Sequence, residues 1–344
     1  MASFSAPGGG PLDAGQLAAA ANHLAQHATA VGIVTGFCAI LDERVTAETD
    51  GPPSALFLAR ALLAVGIDVV LITDRFALPL LEAGCDLWKL DRKMLWEFPF
   101  EDGPPTEPAR LRNDPRCNTN TDRWVGDFYA RFDASRREQP LSHLVSIERP
   151  GPSHTLESLR AQPRTGAAPL ERFTSEVPLN ARNVCHTMRG NPINGWTAKT
   201  HRLFEWIREK QLGVTTIGIG DGGNELGMGH FAWELLAEAV GGERAGRIAC
   251  RIDADFGLIA GVSDWAAYGL ALALARLRGA GQAARDWHAA GQRELIETFV
   301  RQTPAVDGVT LRREPTVDGL QLDDYVRPLV ELRRCLGCSD AGDE

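Results

Sequence analysis

Six of the twelve residues in Gly218-Ile-Gly-Asp-Gly-Gly-Asn-Glu-Leu-Gly-Met-Gly229 are glycine, and two of the others, Asp221 and Glu225, are carboxylates. The run follows Val214 to Ile219, an apolar, β-branched stretch that reads as a buried strand. Glycines at a strand end let the backbone approach a ligand closely. The first six residues satisfy GxGxxG, so a dinucleotide fingerprint is one reading. The acids argue against it, because a pyrophosphate needs backbone donors there and no negative charge. A cation suits the same residues better, and a tight turn with an Asp cap is the bland alternative.

Two other strand ends carry acids. Glu48-Thr-Asp-Gly-Pro-Pro53 follows an apolar run at Val31 to Ile40, and Glu148-Arg149 follows Leu144 to Ile147. Ligands of open parallel sheets bind beyond the carboxyl ends of the strands, so these clusters are expected to face one edge. Oxygen-only ligands favour Mg²⁺, Mn²⁺ or Ca²⁺ over zinc, and Asp50, Glu148, Asp221 and Glu225 are the expected metal ligands. Asp50 as a helix cap and Glu148 paired with Arg149 at the surface are the structural alternatives. The irregular stretch Arg182 to Asn191 adds Arg189 as a carboxylate fork and His186 as a proton carrier, or as a solvated loop histidine. In Gly261-Val-Ser-Asp-Trp265, Ser263 or Asp264 caps the helix that follows or touches ligand.

The elements that must position these residues alternate. Helices are expected from Asp13 to about Ala30, at Ser54 to Val65, Phe76 to Ala83, Phe128 to Arg137, Thr197 to Gln211, His230 to Val240 and Ser263 to Leu277. Two more are expected near Ala283 to Gln302 and Leu320 to Leu336. Strands are expected at Val31 to Ile40, Ile67 to Thr73, Leu144 to Ile147, Val214 to Ile219, Arg247 to Ile252 and Phe256 to Ile259. Continuous apolar strands between helices predict an α/β fold, a mostly parallel sheet with helices on both faces. Proline-rich, polar stretches at about 98–123 and 151–194 predict long irregular insertions. The expected organisation is a flexible N-terminus at 1–12, one α/β domain at 13–338 and a tail at 339–344.

Composition narrows the function classes. The chain of 344 residues is 44% hydrophobic, ample for a sizeable core, and its net charge of −9 lacks the footprint of a nucleic-acid binder. It contains four lysines, Lys89, Lys93, Lys199 and Lys210, few candidates for Schiff-base chemistry. Seven scattered cysteines, with a lone CxxC at Cys335 and Cys338, suggest reduced thiols and a cytoplasmic location. The uncharged stretch from Ala14 to Leu41 holds polar residues unsuited to lipid, so no membrane association is expected. The final amphipathic helices suggest a homo-oligomer.

In order along the chain, Thr35-Gly-Phe37, Glu48 to Pro53, Thr73-Asp74, Glu148-Arg-Pro-Gly151, Met188-Arg-Gly190, Gly218 to Gly229 and Gly261 to Trp265 resemble the family named for the C-terminal domain of D-glutamate cyclase. The resemblance runs from about Val31 to Leu277. Asp264 stands where the family pattern has Asn, and Cys185-His-Thr187 replaces a Tyr-Asn-like stretch. The resemblance implies conversion of D-glutamate, a small acidic substrate, into 5-oxo-D-proline and water. On it, Thr35, Gly36, Arg149, Arg189, Asn224 and Asp264 are expected to bind substrate, while Glu48 or His186 moves protons. A metal-dependent phosphohydrolase and a non-catalytic small-molecule binding subunit are the alternative readings, since acids at sheet ends serve phosphoryl transfer equally well.

Overall fold

A computed structural model describes residues 15–41, 44–100, 115–132, 139–164, 166–242, 244–281 and 283–337. The strands are β1 (Ala30–Thr35), β2 (Cys38–Leu41), β3 (Arg44–Ala47), β4 (Asp68–Thr73), β5 (Leu95–Glu97), β6 (Leu141–Ile147), β7 (Thr215–Gly220), β8 (Phe256–Ile259), β9 (Thr316–Val317) and β10 (Leu320–Gln321). Six of them form one sheet in the order β5-β4-β1-β6-β7-β8, and every neighbouring pair is parallel. From β1 the sheet grows one way through β4 and β5 and the other way through β6, β7 and β8. The order therefore reverses between β1 and β6, where the crevice beyond the strand ends opens in doubly wound sheets.

Side chains alternate between two cores. Val31 and Ile33 of β1 face one and Val34 the other. The first core takes Leu24 from helix Gln16–His27, Phe57 from Pro52–Ala64, Tyr268 from Ser263–Leu277 and Phe299 from Ala289–Gln302. The second takes Phe128 from helix Pro115–Arg131, Phe204 from His201–Lys210 and Trp233 from Trp233–Val240. Helices thus cover both faces, which is why β1 is buried along its whole length and carries no polar alternation. No described helix is long and apolar enough to cross a membrane.

Several expected boundaries move. The run Val31 to Ile40 is not one strand: Gly36 takes φ 102°, and the chain turns into an antiparallel β2–β3 hairpin where a loop was expected. Arg247 to Ile252 is not a strand either, because Ala245–Ile248 is helical and Cys250 makes only an isolated bridge to Ser153. The helix expected from Phe128 starts at Pro115, with the proline in the first turn, where its missing N–H is harmless. Within 151–194 lie two short helices, Leu156–Ala161 and Leu170–Glu176; the first is capped by Thr155, whose Oγ1 accepts from Ser158 N at 3.1 Å. The expected flexible start at 1–12, the Asp13 cap, the heart of the 98–123 excursion at 101–114, Cys338 and the tail at 339–344 lie outside the described residues.

Candidate functional site

The glycine-rich loop does not lead straight into a helix. After β7 it folds back so tightly that a Cβ on Gly218 would stand 2.5 Å from Gly227 Cα, so this pair has room only for glycine. The reversal carries Glu225 beneath the start of the loop, where Oε1 accepts from Gly222 N at 2.7 Å and Asp221 N at 3.3 Å. The amides that a pyrophosphate would use are thus turned onto the protein's own carboxylate. The next helix begins only at Trp233.

The other acids arrive from neighbouring strand ends. Beyond β3, Thr49 is pinned to the C-terminal region, its N–H to Val306 O at 3.0 Å and its hydroxyl to Thr316 O at 2.7 Å. Asp50 follows, with Oδ1 accepting from Gly51 N at 2.8 Å. Helix Pro52–Ala64 is capped from outside: Asp264 Oδ1 accepts from Gly51 N at 3.1 Å and Ser54 N at 3.2 Å, and its Oδ2 accepts from the Tyr325 hydroxyl at 2.6 Å. Beyond β6, Glu148 is held at φ 42°, a left-handed conformation that costs a non-glycine residue about 1–2 kcal/mol. The Ser263 hydroxyl donates to Glu148 Oε2.

Carboxylate oxygens gather in two groups, Asp50–Asp221–Asp318 and Glu148–Asp221–Glu225, each within 4.8 Å. Asp318 was not among the residues singled out from the sequence. It sits in the β9–β10 turn with φ 52°, followed by Gly319 at φ 76°, as a two-residue type I′ hairpin requires. Asp-Gly between short apolar pairs signals that turn, but not that the turn points into a site. Burial first, then neighbouring acids, pushes the carboxyls of Glu48, Asp50, Glu148 and Asp221 well above the ordinary range. Asp318 rises to about 6, chiefly through burial. Asp50 Oδ2, Glu225 Oε2, Thr35 Oγ1 and Asn224 Oδ1 are buried and have no hydrogen-bond partner. A buried carboxylate oxygen without a donor is costly, and a hard cation would satisfy it.

A cleft of about 450 Å³ opens over these groups, lined by Glu48, Glu148, Asp221, Asn224 and Asp318 together with apolar residues such as Phe37 and Ile40. Arg189 is exposed on its wall and donates from Nη2 to Val309 O at 2.7 Å. Asn224 Nδ2 donates to His186 O at 2.8 Å. The His186 ring is itself buried, is not among the cleft-lining groups, and is pushed down to about 4 by desolvation. Thr35 and Gly36 are likewise absent from the lining; Gly36 O accepts from Arg149 Nη1 at 2.8 Å. Arg149 also donates to Thr200 Oγ1, Ala198 O and Asp74 Oδ2, the last at 2.6 Å. Four of its five N–H donors are thereby engaged inside the protein. Asp264 is fully buried in its capping role. A second cleft of about 380 Å³, beside Asn194, Thr197 and Arg251, holds charges already paired with each other, Arg202 and Arg251 both with Glu205.

A family described as D-glutamate cyclase-like, C-terminal matches residues 10–163 and 174–333. The chain is 32% identical over 250 residues to "D-glutamate cyclase, mitochondrial" of Homo sapiens, an alignment covering 72% of this chain and 33% of the relative. The chain therefore spans about a third of that relative's length.

Proposed function

The chain belongs to the D-glutamate cyclase-like, C-terminal family, and on that premise we propose that it closes D-glutamate to 5-oxo-D-proline with release of water, in the carboxylate-lined cleft and with a divalent cation bound there. The observation that carries this reading is the pair of unpartnered buried oxygens, Asp50 Oδ2 and Glu225 Oε2, beside Asp221 and Glu148. Mg²⁺, Mn²⁺ or Ca²⁺ fits this all-oxygen set. Such an ion supplies Lewis acidity, drawing charge from the γ-carboxylate so that it becomes an electrophile.

The remaining work falls to side chains. Closure forms the bond from the α-nitrogen to the carbon of the γ-carboxyl group and breaks one of that carbon's bonds to oxygen; two protons from the ammonium leave with that oxygen as water. Glu48 lines the cleft outside both oxygen groups, and its raised affinity for protons suits it to carry them. Arg189 is placed to take the α-carboxylate and to offset the repulsion that clustered acids exert on an acidic substrate. Arg149, Asp264, Thr35, Gly36 and the His186 carbonyl act one layer deeper, fixing the backbone and Asn224 around the substrate.

The test is incubation of D- and L-glutamate with the chelated and the metal-supplemented chain, watching by NMR for the lactam. Lactam from D-glutamate only with divalent metal is expected. Equal rates in chelated and loaded samples would remove the Lewis-acid role, and phosphate release from phosphate esters without any lactam would favour a phosphohydrolase instead.

A further inference from the structure

Of the five acids, Glu148, Asp221 and Asp318 line the cleft and Asp50 and Glu225 lie buried beside them, and the five do not gather as one group. Their oxygens form two triples that share Asp221, with Asp50 and Asp318 on one side and Glu148 and Glu225 on the other. Ligand oxygens lie about 2.0–2.6 Å from Mg²⁺ or Ca²⁺, so a single ion serves one triple and leaves the other bare. Each triple also has its own unpartnered oxygens. On one side is Asp50 Oδ2, with Asp50 only 2% exposed, and on the other Glu225 Oε2, with Glu225 fully buried.

Two neutral oxygens border the triple of Glu148, Asp221 and Glu225 as well. Thr35 Oγ1, fully buried and unpartnered, lies 2.9 Å from the point a Cβ on Gly51 would occupy, and Glu148 Cβ lies 2.7 Å from that point. Asn224 Oδ1, 1% exposed and unpartnered, lies 2.6 Å from the Cβ point of Gly222, where Glu225 Oε1 is 3.1 Å away. These two oxygens are not part of the acidic cluster, and they stand beside Glu148 and Glu225.

We infer that the cleft floor is a two-cation centre, with one divalent ion on Asp50, Asp221 and Asp318, a second on Glu148, Asp221 and Glu225, and Asp221 as the bridge. The inference rests on the cation in the cyclase reading and extends it. Charge points the same way. With all five acids ionised, one divalent ion leaves three charges uncompensated, whereas two leave one, which lowers the repulsion of a substrate that is itself an anion. Two hard ions about 3.5–4 Å apart match the span of one carboxylate, so a bidentate anionic oxygen pair is the ligand class this centre takes.

Manganese titration of the chelator-stripped chain, read by calorimetry and low-temperature electron paramagnetic resonance, tests it without recourse to activity. About two Mn²⁺ per chain and an exchange-coupled spectrum are expected. Asp318→Asn and Glu225→Gln should each retain about one ion with an isolated six-line signal, and Asp221→Asn should lose both. Asn at position 318 tolerates the positive φ, and the melting temperature of each metal-free variant checks its fold. One Mn²⁺ per chain with a six-line signal in the parent would overturn the pair and leave the single-cation cyclase reading standing. No Mn²⁺ binding would overturn both. Two coupled ions without any lactam formation would support the pair and sink the cyclase reading alone.

Discussion

Glu225 accepts the Gly222 amide proton at 2.7 Å, so the most glycine-rich turn of the chain points its backbone donors at an internal acid. A negative ligand phosphate would have to displace that carboxylate from a fully buried position. The loop is built to aim acids, and its glycines serve the fold-back of Gly227 on Gly218.

The first prediction follows directly. NADH at millimolar concentration should leave the melting temperature unchanged, because a ligand raises apparent stability only when it binds the native state. A dose-dependent rise would restore the dinucleotide reading of Gly218 to Gly223.

Asp221 is the acid on which both oxygen groups depend. Mn²⁺ should raise the melting temperature of the parent and do little for Asp221→Asn, since loss of a charged ligand should exceed the roughly 10–100-fold cost of altering a supporting partner. The metal-free variant should melt no lower than the parent. Burial and the neighbouring Glu148 raise the Asp221 carboxyl, so the folded empty site holds protons that the unfolded chain has released. A group raised in this way supports the fold below its unfolded pKa and loses that support as pH rises through its folded one. Cation binding must displace the same protons, so the Mn²⁺-induced rise should be larger at pH 8 than at pH 5. An equal rise at both values would contradict protonation of the empty site.

Much of this arrangement was legible because parallel sheets obey a simple rule. Strands read as apolar runs at Leu144 to Ile147 and Val214 to Ile219 pair in register as β6 and β7, and the acids that follow them meet. Residues whose role depends on distant partners were not legible. Arg149 follows Glu148 in sequence and invited a substrate role, but Asp74, 75 positions earlier, claims its guanidinium. Asp264 reads as a cap for its own helix and instead caps the one starting at Pro52. Asp318 was hidden because its Asp-Gly turn satisfies local chemistry completely, and only tertiary packing turns its carboxylate toward Asp221.

The Arg149–Asp74 pair should be structural. Both residues are at most 2% exposed, and removing one partner of such a pair costs about 3–5 kcal/mol because the other charge is left buried and unpaired. Arg149→Ala should lower stability by about that amount in a denaturant titration, whether or not metal is present. A loss below about 1 kcal/mol, together with a raised KM for D-glutamate, would return Arg149 to the substrate-binding role.

Glu48 separates proton transfer from metal binding. It belongs to neither oxygen triple, yet it lines the cleft, and the chain presses on it: a Cβ on Gly308 would lie 2.2 Å from Glu48 Oε2. Burial first, then Asp318 and Asp307, holds its carboxyl well above the ordinary range, which raises its affinity for a proton. Glu48→Gln preserves shape and removes that capacity. The variant should keep the parent's Mn²⁺ stoichiometry and its Mn²⁺-dependent melting rise, while lactam formation falls by about 10²–10⁴-fold, the usual contribution of a positioned acid–base group. Loss of metal binding in parallel would make Glu48 a ligand instead, and full activity would transfer the proton-carrying role to another group in the cleft.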